Sequence, residues 1–106
     1  MCIRDSFWVF YLDNRNRIKV LELVSLGILN NCLVHPREVF RRAIQIGTAK
    51  IILAHNHPSG DESPSEDDII LTKKLVKAGE LVGIEILDHI IITQSAYTSF
   101  KAKSLF

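Results

Sequence analysis

A short apolar segment that ends in two histidines constrains the fold more than any other part of this 106-residue chain. Residues Lys50–Ala54 are rich in β-branched side chains, which predicts a short buried strand. Side chains at positions i and i+2 of a strand point to the same face. His55 and His57 can therefore converge on one metal ion if the extended backbone continues through them.

The residues after the histidines supply a third metal ligand of a different type. A loop with two prolines and Gly60 leads to Ser65, and Glu66-Asp67-Asp68 then open a helix with an acidic first turn. Two imidazoles and one carboxylate suit Zn²⁺, and three protein ligands leave the fourth tetrahedral position for a water that zinc acidifies to a pKa of about 7. The segment therefore predicts a metal site for hydrolysis or deamination.

A purely structural interpretation of the same residues stays open. Ser-x-x-Asp before an apolar helix is also a capping box, in which Ser65 binds a backbone N–H of the first turn and Asp68 reaches back to the cap. Histidines beside prolines also occur in turns without a metal. The combination of a buried strand, two histidines and an acidic helix start favours the metal site.

The segment resembles the motif of the JAMM (MPN-type) metalloprotease domain, and more narrowly its bacterial RadC-like branch. The JAMM pattern is His-x-His-Pro, then Gly, then Ser-x-x-Asp, and it is filled by His55, His57, Pro58, Gly60, Ser65 and Asp68. The RadC-like resemblance covers nearly the whole chain, through residues 7–13, 35–40, 52–60, 64–65 and 87–91. It implies an α/β fold of the cytidine-deaminase-like type. In this fold a single domain forms a sandwich of a mixed β-sheet and flanking helices.

The resemblance also implies the chemistry of the site. In the family, a zinc ion would be held by the residues that correspond to His55, His57 and Asp68. Ser65 would lend its hydroxyl to the oxyanion of a tetrahedral intermediate. The implied activity is that of a peptidase or isopeptidase, and the substrate of the RadC-like branch is not settled.

The chain departs from the family at the catalytic base. RadC-like sequences carry a Glu two residues before the Phe that corresponds to Phe7, and this chain has Asp5 there. Asp is one methylene shorter, so its carboxylate reaches less far toward the water that a general base must hydrogen-bond. No spacing points Glu22 or Glu62 at the water, and neither is assigned.

The first six residues look foreign to the family. Residues 1–6, Met-Cys-Ile-Arg-Asp-Ser, resemble a translated adapter remnant, so we expect the RadC-like domain to span residues 7–106. An Asp at a foreign junction is also explained as a solvated residue of a frayed terminus.

Composition indicates one compact cytoplasmic domain. The chain is 47% hydrophobic, with 13 basic and 12 acidic residues, and a net charge of +1 gives no electrostatic footprint for nucleic acid. Cys2 and Cys32 show neither a disulfide framework nor a thiolate zinc spacing. No apolar run reaches the roughly 20 residues that span a membrane, and the start is wrongly built for a signal peptide.

The periodicity predicts a hairpin, helix, strand, helix, strand order. We expect strands at 7–12 and 18–25, a helix from Pro36 that ends before Gly47, and the strand before the metal loop. A second helix should end at Gly83 and be followed by strands at 84–93 and 97–100. The first helix has apolar residues at helical spacing, namely Val39, Phe40, Ala43 and Ile44. The buried stripe expected in the second helix comprises Ile69, Leu71, Leu75, Ala78 and Val82.

The remaining conspicuous residues are expected to be structural. Trp8 and Phe10 alternate with their neighbours on a strand, so one pair should face the core. His35 precedes a helix-starting proline and fits a turn. An Asp88-His89 pair can orient a zinc ligand from outside, but adjacent strand residues face opposite ways, which favours a satisfied core or edge histidine.

Three functional classes follow from these patterns. The first is a zinc-dependent JAMM-type metallohydrolase acting on a peptide or isopeptide substrate, with Ser65 and Asp5 as catalytic residues. The second is a zinc deaminase, which is disfavoured because its His-x-Glu and Pro-Cys-x-x-Cys motifs are missing. The third is a catalytically impaired metal-binding interaction module of a DNA-repair-associated protein. The oligomeric state is left open, with a homodimer as one option.

Overall fold

A computed structural model describes residues 6–26, 36–56, 66–93 and 96–103. These residues form five strands and two helices. The elements in chain order are β1 (Ser6–Leu12), β2 (Ile18–Leu26), α1 (Pro36–Ile46), β3 (Lys50–Asn56), α2 (Glu66–Val82), β4 (Glu85–Ile92) and β5 (Tyr97–Ser99). Every predicted element is confirmed, with bounds that differ by one or two residues.

The strands form one mixed sheet in the order β2-β1-β3-β4-β5. β1 and β2 are the predicted antiparallel hairpin, and β1 also pairs antiparallel with β3. β3 and β4 are parallel neighbours joined through α2, while β5 returns antiparallel to β4. A mixed sheet with helices packed on it confirms the α/β fold class.

Alternation along the strands divides the sheet into two faces. Val9, Tyr11, Ile51 and Leu53 are fully buried on the face that carries the helices. Trp8 lies on the opposite face with Phe10 and is only partly buried. The prediction that one of the two β1 pairs faces the core is therefore confirmed, and the buried pair is Val9 and Tyr11.

α1 packs its predicted face on the sheet and ends at the predicted glycine. Val39, Phe40 and Ala43 are buried, whereas Ile44, the fourth apolar residue of the helical pattern, is 64% exposed. Gly47 has a φ of +79°, and its N–H donates to the carbonyl oxygen of Ala43 at 2.9 Å. This left-handed cap is the one that glycine adopts without strain.

The buried face of α2 matches the predicted stripe in part, because Leu75 is fully buried and Leu71 and Ala78 pack against the core. Thr72 and Leu75 are fully buried, and Gly79 lies against the carbonyl oxygen of Ile84. Val82, predicted to be buried, is 52% exposed. Thr72 and Gly79, which lie outside the predicted stripe, are buried beside it.

None of the described helices combines the length and the apolar character that a membrane-crossing helix requires.

Candidate metal centre

His55 lies at the carboxyl end of the central strand. It is the next-to-last residue of β3, and its register partners are Phe7 on β1 and Ile91 on β4. Its side chain is 8% exposed, and its Nδ1 atom is shielded from solvent. The ring is therefore held in place by the sheet around it, at the edge where the chain leaves for α2.

The chain begins α2 ten residues after β3 ends, and Asp68 is the third residue of that helix. A helix that joins two parallel neighbouring strands starts near the carboxyl end of the first strand. The backbone of Asp68 thus belongs to the helical turn nearest His55 in the chain. The side chain of Asp68 lies outside the part of the chain that the structure describes, and so do the whole residues Asp5, His57 and Ser65.

The predicted ligand set is for this reason only partly visible. In the ranges that the structure describes, no three His, Cys, Asp or Glu side chains gather as a metal site would require. His55 is the one predicted ligand whose side chain is described. The imidazole nitrogen of a histidine is a common ligand of zinc. His55, the predicted ligand that the structure describes, therefore fits this metal.

A cluster of four rings surrounds this strand end. The His55 ring centroid is 5.8 Å from that of Phe7 and 6.4 Å from that of His89, with 28° between the two imidazole planes. His89 in turn stacks on Phe100 at 4.3 Å and meets Phe7 edge-on at 5.6 Å. His55 is thus packed on one side by aromatic and imidazole surfaces.

His89 is a core histidine, as the sequence predicts. It is fully buried, and its Nδ1 atom lies 2.5 Å from the hydroxyl oxygen of Thr72 on α2. Asp88 does not face the same way. Its carboxylate accepts hydrogen bonds from the backbone N–H groups of His89 and Lys101 and from the Ser99 hydroxyl, at 2.8, 3.0 and 2.6 Å.

Thr72 is the site neighbour that sequence reasoning missed. A threonine in an apolar helix face belongs to no motif, so sequence patterns do not single it out. The available signal was its spacing, since Thr72 follows Asp68 by four residues and shares its helix face.

Glu22, which the sequence left unassigned, is occupied elsewhere. Its carboxylate lies 2.7 Å from the guanidinium of Arg42 on α1. Burial is the largest cause that raises the pKa of Tyr11 to about 12, the Glu22 charge raises it further, and Arg42 lowers it. Glu22 therefore contributes to the packing of α1 on the hairpin, and Glu62 and His35 lie outside the described residues.

The fold and the placement of His55 define a small α/β domain of the JAB type, with a mixed five-stranded sheet and two helices on one face. The chain belongs to the RadC-like JAB domain family, whose model matches residues 2–105. The resemblance stated from the motifs is confirmed at the level of the family. The division of the chain at residue 6 stays a prediction.

Relatives from bacteria and archaea are similar over most of the chain. A UPF0758 protein of Desulforudis audaxviator is 52% identical over 103 residues, which is 97% of this chain and 45% of the relative. A UPF0758 protein of Methanosarcina mazei is 53% identical over 98 residues, 92% of this chain and 43% of the relative. The chain thus spans less than half the length of these relatives.

Proposed function

We propose that this domain is a zinc-dependent metallohydrolase of the JAMM type that cleaves peptide or isopeptide bonds. The observation that carries the proposal is the position of His55. It is buried at the carboxyl end of β3, beside β4, and the helix that contains Asp68 follows directly in the chain. Membership in the RadC-like JAB domain family also supports the proposal.

Each motif residue has a defined part in this proposal. His55, His57 and Asp68 would hold one zinc ion. When bound, the metal would supply an acidified water and polarise the substrate carbonyl. Ser65 would donate its hydroxyl hydrogen to the oxygen on which negative charge develops. Asp5 would accept a proton from the attacking water and pass it to the leaving amine.

The proposed substrate is a peptide or an isopeptide-linked protein, met in the cytoplasm. Neither nucleic acid nor a membrane is proposed as a partner of these residues. The support is the near balance of charge, +1 in total, because nucleic-acid binding needs a clustered basic surface. A homodimer is compatible with this proposal and is not required by it.

Two carboxylates of the same helical turn provide a matched test. Asp68→Asn removes the proposed ligand, while Glu66→Gln removes an exposed carboxylate outside the motif. The full chain, purified with zinc, is assayed for metal content and for hydrolysis of a lysine-linked isopeptide and a linear peptide. We expect Asp68→Asn to lose the zinc and any hydrolysis, and Glu66→Gln to keep both. Equal zinc content in the two variants would overturn the ligand assignment.

A second candidate function is a metal-binding module without turnover. It is favoured by Asp5, which stands two residues before Phe7, the register partner of His55. The test replaces residues 1–6 with the corresponding segment of the Desulforudis audaxviator relative and compares Asp with Glu at position 5. Hydrolysis that rises with Glu supports the enzyme and the base position. Zinc binding without hydrolysis in both chains supports the module.

A further inference from the structure

We infer that Thr72 and His89 form a positioning pair that fixes α2 against the strand end, and thereby sets the affinity of the metal site. This inference rests on the proposed function, because it concerns the placement of His55 and Asp68 relative to each other. Neither Thr72 nor His89 would touch the metal or the substrate.

The first observation is a polar contact between two fully buried side chains. The Thr72 hydroxyl oxygen lies 2.5 Å from Nδ1 of His89, and both residues have no exposed surface. Burial of polar groups in a core costs free energy that apolar side chains of the same size avoid. In return, a hydrogen bond is directional, so this contact holds α2 to β4 in one register where apolar contacts allow sliding.

The second observation connects the pair to the metal-binding strand. The His89 ring lies 6.4 Å from the His55 ring, and Phe7 meets both rings at 5.6 and 5.8 Å. Phe100 also stacks on His89, with 4.3 Å between the ring centroids. A change in the position of His89 would therefore displace the surface against which His55 packs.

The third observation connects the pair to the helical ligand. Thr72 follows Asp68 by four residues within α2. Residues with this spacing lie on the same helix face, about 6 Å apart along the axis. The helical turn that carries Asp68 is therefore fixed by the turn directly below it. The hydrogen bond between Thr72 and His89 thus links α2, which carries Asp68, to the ring cluster that contains His55.

The experiment measures metal affinity in the full chain. Co²⁺ binding is titrated by its visible absorption, and zinc affinity follows from competition with a chelator, at a temperature where every variant is folded by circular dichroism. Thr72→Val removes the hydroxyl and keeps the branched shape, and Thr72→Ser restores the hydroxyl. His89→Phe keeps a ring and removes Nδ1. Thr48→Val is the matched control, because its buried hydroxyl donates to the Leu12 carbonyl oxygen at the opposite end of β3.

We expect Thr72→Val and His89→Phe to weaken Co²⁺ and zinc binding about tenfold, the lower range for residues that orient metal ligands. Thr72→Ser should recover most of the affinity and the wild-type Co²⁺ spectrum. Thr48→Val should lose stability without losing affinity. If His89→Phe does not fold, the Thr72 variants decide the question.

The outcomes separate this inference from the proposed function. If the wild-type chain binds no metal, or if His55→Ala binds as tightly as wild type, the proposed function fails and the inference fails with it. If His55→Ala loses the metal while Thr72→Val binds as tightly as wild type, the positioning role alone is overturned. Equal affinity losses in Thr72→Val and Thr48→Val would also overturn it, since they would reflect general destabilisation.

Discussion

Gly79 is where the structure and helix propensity make opposite predictions. In the interior of a helix, replacing glycine by alanine stabilises by about 1 kcal/mol when nothing else changes. A Cβ on Gly79, however, would overlap the carbonyl oxygen of Ile84 and lie 3.5 Å from the Phe40 ring. The first contact is with backbone, so it is relieved only when α2 and the start of β4 move apart.

The cost of that movement can be estimated from the contacts it breaks. Overpacking of this kind costs about 1–3 kcal/mol. The Ile84 N–H also donates to the Gly79 carbonyl oxygen at 2.8 Å, and loss of this bond adds about 1 kcal/mol. After the gain in propensity, we expect Gly79→Ala to lower the free energy of unfolding by about 1–3 kcal/mol.

Urea unfolding followed by circular dichroism measures this change. Position 73 supplies the control, since Lys73 is exposed in the same helix. Lys73→Ala should be more stable than Lys73→Gly by about 1 kcal/mol, which calibrates propensity alone. If Gly79→Ala stabilises the chain by the amount that the Lys73 pair defines, the close approach of α2 to β4 is refuted.

Three further outcomes are expected. In the folded chain the pKa of Tyr11 is about 12, whereas in the unfolded chain it is about 10. The contribution of Tyr11 to the free energy of unfolding therefore falls by about 1.4 kcal/mol per pH unit between these two pH values. Tyr11→Phe should remove that slope in unfolding titrations and cost about 1 kcal/mol at pH 7, because the phenol donates to the Val39 carbonyl oxygen; an unchanged slope would contradict the cause given. Leu53→Ala, at a fully buried position, should cost about 2–5 kcal/mol in urea melts, and a loss below 1 kcal/mol would place Leu53 outside the core. Arg42→Ala should cost less than about 1 kcal/mol, because its ion pair with Glu22 is partly exposed; a loss above 2 kcal/mol would show that packing under the guanidinium matters more.

The order and type of the elements could be predicted because local signals are strong here. Alternation marks β1, the apolar run marks β3, and glycines end both helices at positive φ. The RadC-like motif could also be recognised, because its residue types and spacing are characteristic of the family, and the metal site that it indicates stays a prediction.

What the sequence could not supply depends on contacts between distant elements. The close approach of Gly79 on α2 to the backbone of Ile84 is one such contact, and no helical periodicity reports it. The burial of Thr72 comes from a partner 17 residues away on β4. Such pairs form only once α2 is packed on the sheet, so a single helix pattern assigns a threonine to the surface.

Anomalous diffraction at the zinc edge, from crystals of the zinc-loaded chain, tests the central claim most directly. We predict one strong peak per chain, about 2.0–2.2 Å from a nitrogen of His55, a nitrogen of His57 and a carboxylate oxygen of Asp68. A peak coordinated by other residues, or none at all in crystals soaked with excess zinc, would contradict the proposed metal centre.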